Sequence, residues 1–167
     1  MTDQLLPIAR DENVKDLPLS EQDKENFLKA VLVDEPYEEN VSLLDGKVVL
    51  TFRALTMEQW EDHAAQVKLD SKNKVTDNDD TYFARFLSYR LAISLTKING
   101  VPYLPEVTKE EFEATEEATY VAARTNPFKK WQAIKLSTYI DAFNQFERKL
   151  FQLAKEVQSP NFWKASK

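Results

Sequence analysis

The segment LLDGKVVLTFRALTMEQW, residues 43–60, predicts a tight turn, a strand and the start of a helix in close succession. Asp45-Gly46 is typical of a type I′ hairpin turn, because both central residues of that turn need positive φ angles. With a two-residue turn, Leu43 faces Val48 across the hairpin, and the rest of the register follows from that pair. The segment therefore predicts a β-hairpin in a chain whose other patterns are helical.

The residues of this hairpin alternate between apolar and polar, which is typical of strands with one buried face. The apolar set is Val41, Leu43, Val48, Leu50, Phe52 and Ala54, and the polar set is Lys47, Thr51 and Arg53. We expect the apolar set to pack on a helix at residues 80–98 and the polar set to face solvent. We also expect the outer edges of the hairpin to lack a neighbouring strand, which would let them meet a second chain.

Two segments carry a helix start signal before an apolar periodicity. Ser20 is a favourable N-cap for a helix that ends before Pro36, and acidic residues follow in its first turn. Thr56 and Gln59 form a capping box, in which each side chain satisfies a backbone N–H at the helix start. This second signal predicts a helix that runs to about Leu69.

The segment 80–98 carries a broad apolar stripe at helical spacing and is predicted to be a central helix. The stripe consists of Phe83, Phe86, Leu87, Leu91, Leu95 and Ile98. Asn99-Gly100 predicts a left-handed C-cap for this helix, and Pro102 just beyond it favours a stop.

The remaining helix signals lie in the last third of the chain. Thr108 and Glu111 form a capping box that opens a predicted surface helix, and Asn126-Pro127 opens the last predicted helix. Apolar residues of this last helix recur in steps of three and four: Leu136, Tyr139, Phe143, Phe146, Leu150, Leu153 and Val157. Such spacing fits either an intramolecular core or the seam of a homo-oligomer.

Together these patterns predict an α+β fold that is mostly α-helical, with one β-hairpin packed on a bundle of four to five helices. The predicted division of the chain is a flexible N-terminal arm at 1–18, a single hairpin-plus-helical-bundle domain at 19–158 and a C-terminal tail at 159–167. A chain of 167 residues is long enough to bury a substantial core.

Composition excludes several classes of function. The chain has no Cys, which removes disulfides, thiolate metal sites and Cys nucleophiles. It has two Gly, too few for the closely spaced glycines of phosphate-binding loops. A net charge of −6 without a basic cluster argues against nucleic acid as a partner, and no segment approaches the about 20 apolar residues of a membrane span. We therefore expect no cofactor, no metal ion and no enzymatic activity.

His63 is the single histidine of the chain, and it lies beside Asp62 in a polar helical segment. A catalytic triad or a histidine metal site needs further partners that the surrounding sequence does not supply. We therefore expect His63 to be a surface residue.

The C-terminal motif PNFW places two aromatic residues near the chain end. Such side chains either fold back onto the body of the protein or anchor a partner, since aromatic residues dominate interface hot spots. An amphipathic helix in a partner groove and a strand added to the hairpin edge are further modes of binding. The candidate partner-binding residues are Phe162, Trp163, Lys47, Thr51, Arg53, Tyr139, Phe143 and Phe146.

The strand TFRALT, the helix start MEQW, the segment YRLAISLTKING and the closing NFW follow one another in an order that resembles the tail assembly chaperones of tailed bacteriophages. The resemblance covers residues 27–163 and extends, less closely, to baseplate-hub assembly proteins of contractile phages. It implies a non-enzymatic protein of the host cell cytoplasm that holds the tape measure protein or a hub protein and helps to recruit tail tube subunits. Several members of that family are extended by programmed frameshifting.

Two other classes of function stay open on the sequence. One is a structural component of the virion, such as a tail completion or baseplate protein. The other is a host-directed adaptor or a small enzyme without familiar motifs.

Overall fold

The computed structural model describes residues 17–77, 79–104, 109–113 and 119–160. The chain divides into two compact units, of which one is Glu38–Asn144 and the other combines Met1–Tyr37 with Gln145–Lys167. The predicted arm at 1–18 and tail at 159–167 lie almost wholly outside the described residues, so the predicted division of the chain stays a prediction.

The unit Glu38–Asn144 contains one antiparallel sheet with the strand order β1-β2-β3-β4. Its strands are β1 (Glu38–Leu43), β2 (Val48–Arg53), β3 (Leu95–Ile98) and β4 (Val101–Pro102). The predicted hairpin is β1–β2, and a second hairpin, β3–β4, extends the sheet beyond β2. The predicted α+β, mostly α-helical class is confirmed, and the sheet is larger than the single hairpin expected.

The first hairpin has the predicted register but a longer loop than the predicted two-residue turn. Leu43 pairs with Val48, as predicted. Asp45 and Gly46 have φ angles of 54° and 80°, and the Lys47 amide donates to the Leu44 carbonyl at 3.2 Å. Leu44 also has a positive φ of 51°, and the Gly46 amide donates to the Leu43 carbonyl at 3.1 Å. The loop is therefore the four residues Leu44–Lys47, with three consecutive left-handed residues, in place of the predicted two-residue type I′ turn.

The predicted helix at 80–98 is wrong at its C-terminal end, because α3 covers Asp79–Ser94 and the chain then continues as β3. Asn99 and Gly100, with φ angles of 50° and 76°, form the tight turn between β3 and β4 instead of a helix C-cap. Both structures need the left-handed conformation, so the dipeptide does not distinguish them. Pairing of β3 with β2 also corrects the expectation that both hairpin edges are open.

Side-chain hydrogen bonds hold the junction between α3 and β3. Ser94 Oγ donates to the Arg53 carbonyl of β2 at 2.7 Å. Arg124, on the short helix α5 (Tyr120–Thr125), donates to the carbonyls of Ala92 and Leu95 at 2.8 and 3.0 Å. Arg124 thereby satisfies the Ala92 carbonyl in the last turn of α3, and Ser94 ties the helix end to β2, so tertiary contacts help to decide where the helix stops.

The other helices of this unit begin near their sequence signals. The helix α2 (Met57–Lys72) starts after Thr56, and its capping box with Gln59 is present as predicted. The helix α4 covers Lys109–Glu113, and a 3₁₀ helix at Asn126–Lys130 precedes α6 (Ala133–Glu156). The predicted helix start at Asn126-Pro127 is therefore a 3₁₀ turn, and the long helix begins later.

The core of this unit lies between the sheet and the helices. Its most deeply buried apolar side chains are Leu50, Phe52, Tyr89, Leu91, Ala92, Leu95, Val121, Ala142 and Phe143. The Phe52 ring lies 5.6 Å from the Phe143 ring of α6, a contact that the sequence pattern did not predict. Phe83, assigned to the apolar stripe of α3, is 66% exposed and lies outside this core.

The second unit contains α1 (Glu21–Val33) and the part of α6 that begins at Gln145. The predicted N-cap at Ser20 is confirmed, and a reciprocal bond with Asp23 completes a capping box. Asp23 also forms an ion pair with Lys149 at 3.0 Å. Although burial opposes the shift, hydrogen bonds from Ser20 and Lys149 lower the pKa of Asp23. In the described part of the chain, no helix is both long and apolar enough to cross a membrane.

Candidate interaction surface

The polar face of the sheet brings three strands together around Thr51. Asn40 of β1 pairs with Thr51 on one side, and Lys97 of β3 pairs with it on the other. An open concavity of about 540 Å³ lies over this row of residues. It is lined by Glu38, Asn40, Val49, Thr51, Lys97, Asn99 and Gly100.

Thr51 forms the floor of this concavity. Its hydroxyl donates to Asn40 Oδ1 at 2.7 Å, and its carbonyl accepts from Thr96 Oγ1 at 3.1 Å. The prediction that Thr51 faces solvent is wrong, since β1 and β3 flank it and leave it 7% exposed. It is therefore a central-strand residue whose polar groups are already satisfied, and it is not an edge residue.

The charged residues of this face are unevenly paired. Arg53 donates to Glu38 Oε2 through Nε at 3.0 Å and through Nη2 at 2.8 Å. Lys47 and Lys97 are exposed and have no carboxylate within ion-pair distance in the described parts of the chain. Because Glu38 is neutralised by Arg53, the two lysines leave this face locally cationic.

Asn99 ties the second hairpin to the first. The backbone N–H of Val49 donates to Asn99 Oδ1 at 2.7 Å, and the backbone N–H of Asn99 donates to the Val49 carbonyl at 2.8 Å. Asn99 Nδ2 also reaches the Lys47 carbonyl at 3.4 Å. Asn tolerates the left-handed conformation at this turn, and its side chain extends the ladder past the end of β3.

Three predicted partner-binding residues belong to the core. Tyr139, Phe143 and Phe146 are at most 6% exposed. Phe143 packs on Phe52, and Phe146 lies 6.2 Å from the ring of Tyr37. These three rings face their own chain, and partner binding through them stays a prediction. They would have to leave the core to reach a partner.

The other predicted partner residues divide into two groups. Lys47 and Arg53 lie on the exposed polar face of the sheet, as the alternation predicts. Phe162 and Trp163 lie outside the described residues. The pattern missed Asn40 and Lys97. The predicted register of the first hairpin already pairs Asn40 with Thr51. Lys97 could have been placed on this face only by interpreting Asn99-Gly100 as a hairpin turn.

His63 is buried, which corrects the prediction of a surface histidine. Its ring lies 4.9 Å from the ring of Phe86, with Trp60 and Tyr89 at 6.2 and 6.4 Å. Burial lowers the pKa of His63 from its usual 6.5 to about 4, although the nearby Phe86 carbonyl raises it and Arg90 lowers it further. The imidazole is therefore neutral near pH 7, and its position in the core is structural.

A polar cluster beside His63 joins α2 to α3. Tyr89 donates to Asp70 Oδ2 at 2.5 Å, and Gln66 Nε2 donates to Asp70 Oδ1 at 3.0 Å. Arg85 Nε donates to the Tyr89 hydroxyl at 2.5 Å, and Thr119 donates to Gln66 Oε1. Burial raises the pKa of Tyr89 to about 12, with an opposing hydrogen bond from Arg85. These groups bond one another across α2 and α3, so the cluster stabilises the helix pair.

Metal ligands are not grouped in the described residues, where no three or more His, Cys, Asp or Glu side chains are arranged to hold an ion. No protein-family model, curated protein or solved structure matches this chain. Inference about its function therefore rests on its own residues and on the resemblance described above.

Proposed function

We propose that this chain is a non-enzymatic phage tail assembly chaperone that binds the tape measure protein, a tail tube or baseplate hub protein, or both, in the host cell cytoplasm. The observation that carries the proposal is an apolar run at the C-terminal end of α1. Val31, Leu32 and Val33 are 61%, 74% and 62% exposed. The resemblance to the chaperone family supplies the class of partner.

The run differs from isolated exposed apolar residues. Successive residues of a helix point about 100° apart, so three in a row present apolar surface around most of the helix circumference. Contiguous exposed apolar surface in a monomer marks an interaction site more often than scattered single residues do. An apolar helix end of this kind suits the groove-binding mode in which a client helix and a chaperone helix share apolar surface.

The first turn of α1 is held in place while its apolar end is exposed. Ser20 and Asp23 cap the N-terminus of the helix, and Lys149 of α6 contacts Asp23 within the same unit. Gln152 of α6 exchanges two hydrogen bonds of 2.9 Å with the backbone of Leu17, just before the helix. A fixed helix base with an exposed apolar end limits the ordering entropy lost on binding.

Co-expression with the tape measure and tail tube proteins of the phage that carries this chain, as the proposal requires, tests it. We expect size-exclusion chromatography to show a complex with at least one of them. Leu32→Asp should remove the complex, whereas Ile134→Asp should retain it, because Ile134 is 76% exposed but lies on another part of the chain. Absence of any complex, or equal loss with both variants, would refute the proposed role.

Mass spectrometry of purified virions separates this role from that of a structural tail or baseplate component. A chaperone acts before the tail is complete and should be absent from mature particles. Stoichiometric recovery of the chain in virions would favour the structural alternative.

A further inference from the structure

We propose that the polar face of the sheet binds an extended acidic peptide segment. This inference does not depend on the phage assignment, because it rests on hydrogen-bond donors that converge on the concavity over Thr51. Two of these donors, the Lys97 ammonium and the Asn40 side-chain NH₂ group, donate to no acceptor among the described residues. A ligand that supplies carboxylate and carbonyl oxygens satisfies both.

The local charge favours an anionic occupant. The Glu38 carboxylate, which also lines the concavity, is engaged by Arg53 through two hydrogen bonds. The unpaired cations nearby are Lys97 on the concavity itself and Lys47 at the start of the same polar face. The chain as a whole has a net charge of −6, so an acidic partner segment is repelled by most of its surface. The locally cationic face attracts such a segment and thereby directs it to this site.

The sheet spacing sets the length of the occupant. Asn40, Thr51 and Lys97 are in register across three adjacent strands. Their backbones therefore span about 10 Å, since neighbouring strands lie about 4.8 Å apart. An extended chain covers that distance in about three residues. A single short peptide can therefore place one acidic side chain against Lys97 and one backbone carbonyl against Asn40.

The shape of the site also favours a peptide. Pockets for small molecules are enclosed and mostly apolar, whereas this concavity is open and combines Val49 with amide, hydroxyl and charged groups. Nucleic acid is a poorer occupant, because phosphate backbones need several cations in series and the two free lysines stand beside a carboxylate.

An NMR titration of the ¹⁵N-labelled full chain tests the inference. The probe is acetyl-Glu-Val-Glu-Val-Glu-amide, and the matched control peptide replaces each Glu by Gln. We expect the acidic peptide to shift the backbone amides of Thr51, Lys97 and Asn99, with an affinity at least tenfold above that of the Gln peptide. Raising the salt concentration should weaken binding, as expected for an exposed ion pair.

Three variants separate specific binding from general attraction. Lys97→Glu should weaken the acidic peptide at least tenfold, whereas Lys68→Glu, on the exposed surface of α2, should leave it unchanged. Asn40→Asp retains an acceptor for Thr51 but replaces the free amide donors by a carboxylate that repels the acidic peptide, and should weaken binding several-fold. Dispersed amide spectra confirm that each variant is folded.

Other results would overturn the inference. These are equal affinity for the two peptides, shifts confined to residues away from the polar face, and equal loss with Lys97→Glu and Lys68→Glu. Tighter binding of a six-nucleotide single-stranded DNA than of the acidic peptide would assign the face to nucleic acid instead.

Discussion

The two hairpins of the sheet both turn through an Asx-Gly dipeptide with positive φ angles, but they have different sources of stability. The first hairpin pairs six residues on each strand, from Glu38–Arg53 to Leu43–Val48. The second pairs only Ile98 with Val101 and Lys97 with Pro102. Its strand β3 instead depends on β2, on the two hydrogen bonds between Asn99 and Val49, and on a hydrogen bond from Arg124.

This difference shows what an Asx-Gly dipeptide can and cannot predict. Its positive φ angles are a local property, and both dipeptides have them. Whether the residues before it form a strand depends on the neighbours that satisfy their backbone groups. The first hairpin provides its own neighbours, whereas the second obtains them from residues about 45 positions earlier in the sequence.

The largest expected effect is on the apolar face of the first hairpin. Phe52→Ala removes a fully buried ring that packs on Phe143, so we expect it to lower the free energy of unfolding by about 3–5 kcal/mol. Urea denaturation measures the loss. Phe83→Ala is the matched control, because Phe83 is 66% exposed, and it should change stability by less than about 0.5 kcal/mol. Similar losses for the two variants would contradict the placement of the core.

A smaller effect concerns α3, the helix that leads into the second hairpin. His63 contacts Phe86 of this helix, and its pKa is lowered to about 4 in the folded protein from its usual 6.5. The unfolded chain therefore binds a proton first as the pH falls. The contribution of neutral His63 is fully present above pH 6.5 and is lost between pH 6.5 and about 4.

We expect the protonation of His63 to lower the free energy of unfolding by about 2 kcal/mol when the pH falls from 7 to 5. Denaturation midpoints at several pH values measure it, and His63→Leu should flatten that part of the profile. A wild-type profile as flat as that of the variant would show that His63 is not buried in its neutral form.

The comparison of the two turns gives a smaller difference. Asn99→Ala and Asp45→Ala each place alanine at a positive φ angle, which costs about 1 kcal/mol. Asn99→Ala also loses the bond to the Val49 amide, so it should cost about 1 kcal/mol more than Asp45→Ala. Thermal or urea unfolding of the two variants checks the difference. Equal losses would mean that the second hairpin is as self-sufficient as the first.

The smallest expected effect is on the polar face of the first hairpin. Glu38→Gln removes the ion pair with Arg53, which is exposed to solvent, and should lower stability by about 0.5 kcal/mol at low salt. The difference from wild type should shrink at high salt concentration. A loss that is large and independent of salt would instead show that Glu38 has a structural role beyond the ion pair.

The candidate surface could be predicted only in part. Period-two alternation correctly predicted that Lys47 and Arg53 lie exposed on the polar face. The same alternation wrongly predicted that Thr51 is exposed to solvent. Lys97 was missed because its segment continues the helical periodicity of α3. Leu91 and Leu95 are four residues apart, which fits the apolar stripe of a helix, although the helix ends between them at Ser94.

By itself, the sequence determined the features that depend on neighbours within four positions. The turn at Asp45-Gly46 and the capping boxes at Ser20 and Thr56 are of this kind, because their hydrogen bonds close over a few residues. Only the tertiary structure decided that 95–98 is a strand, that His63 and Thr51 are buried and that Phe83 is exposed. Those outcomes follow from hydrogen-bond partners and packing surfaces that lie far away in the sequence, which no local pattern contains.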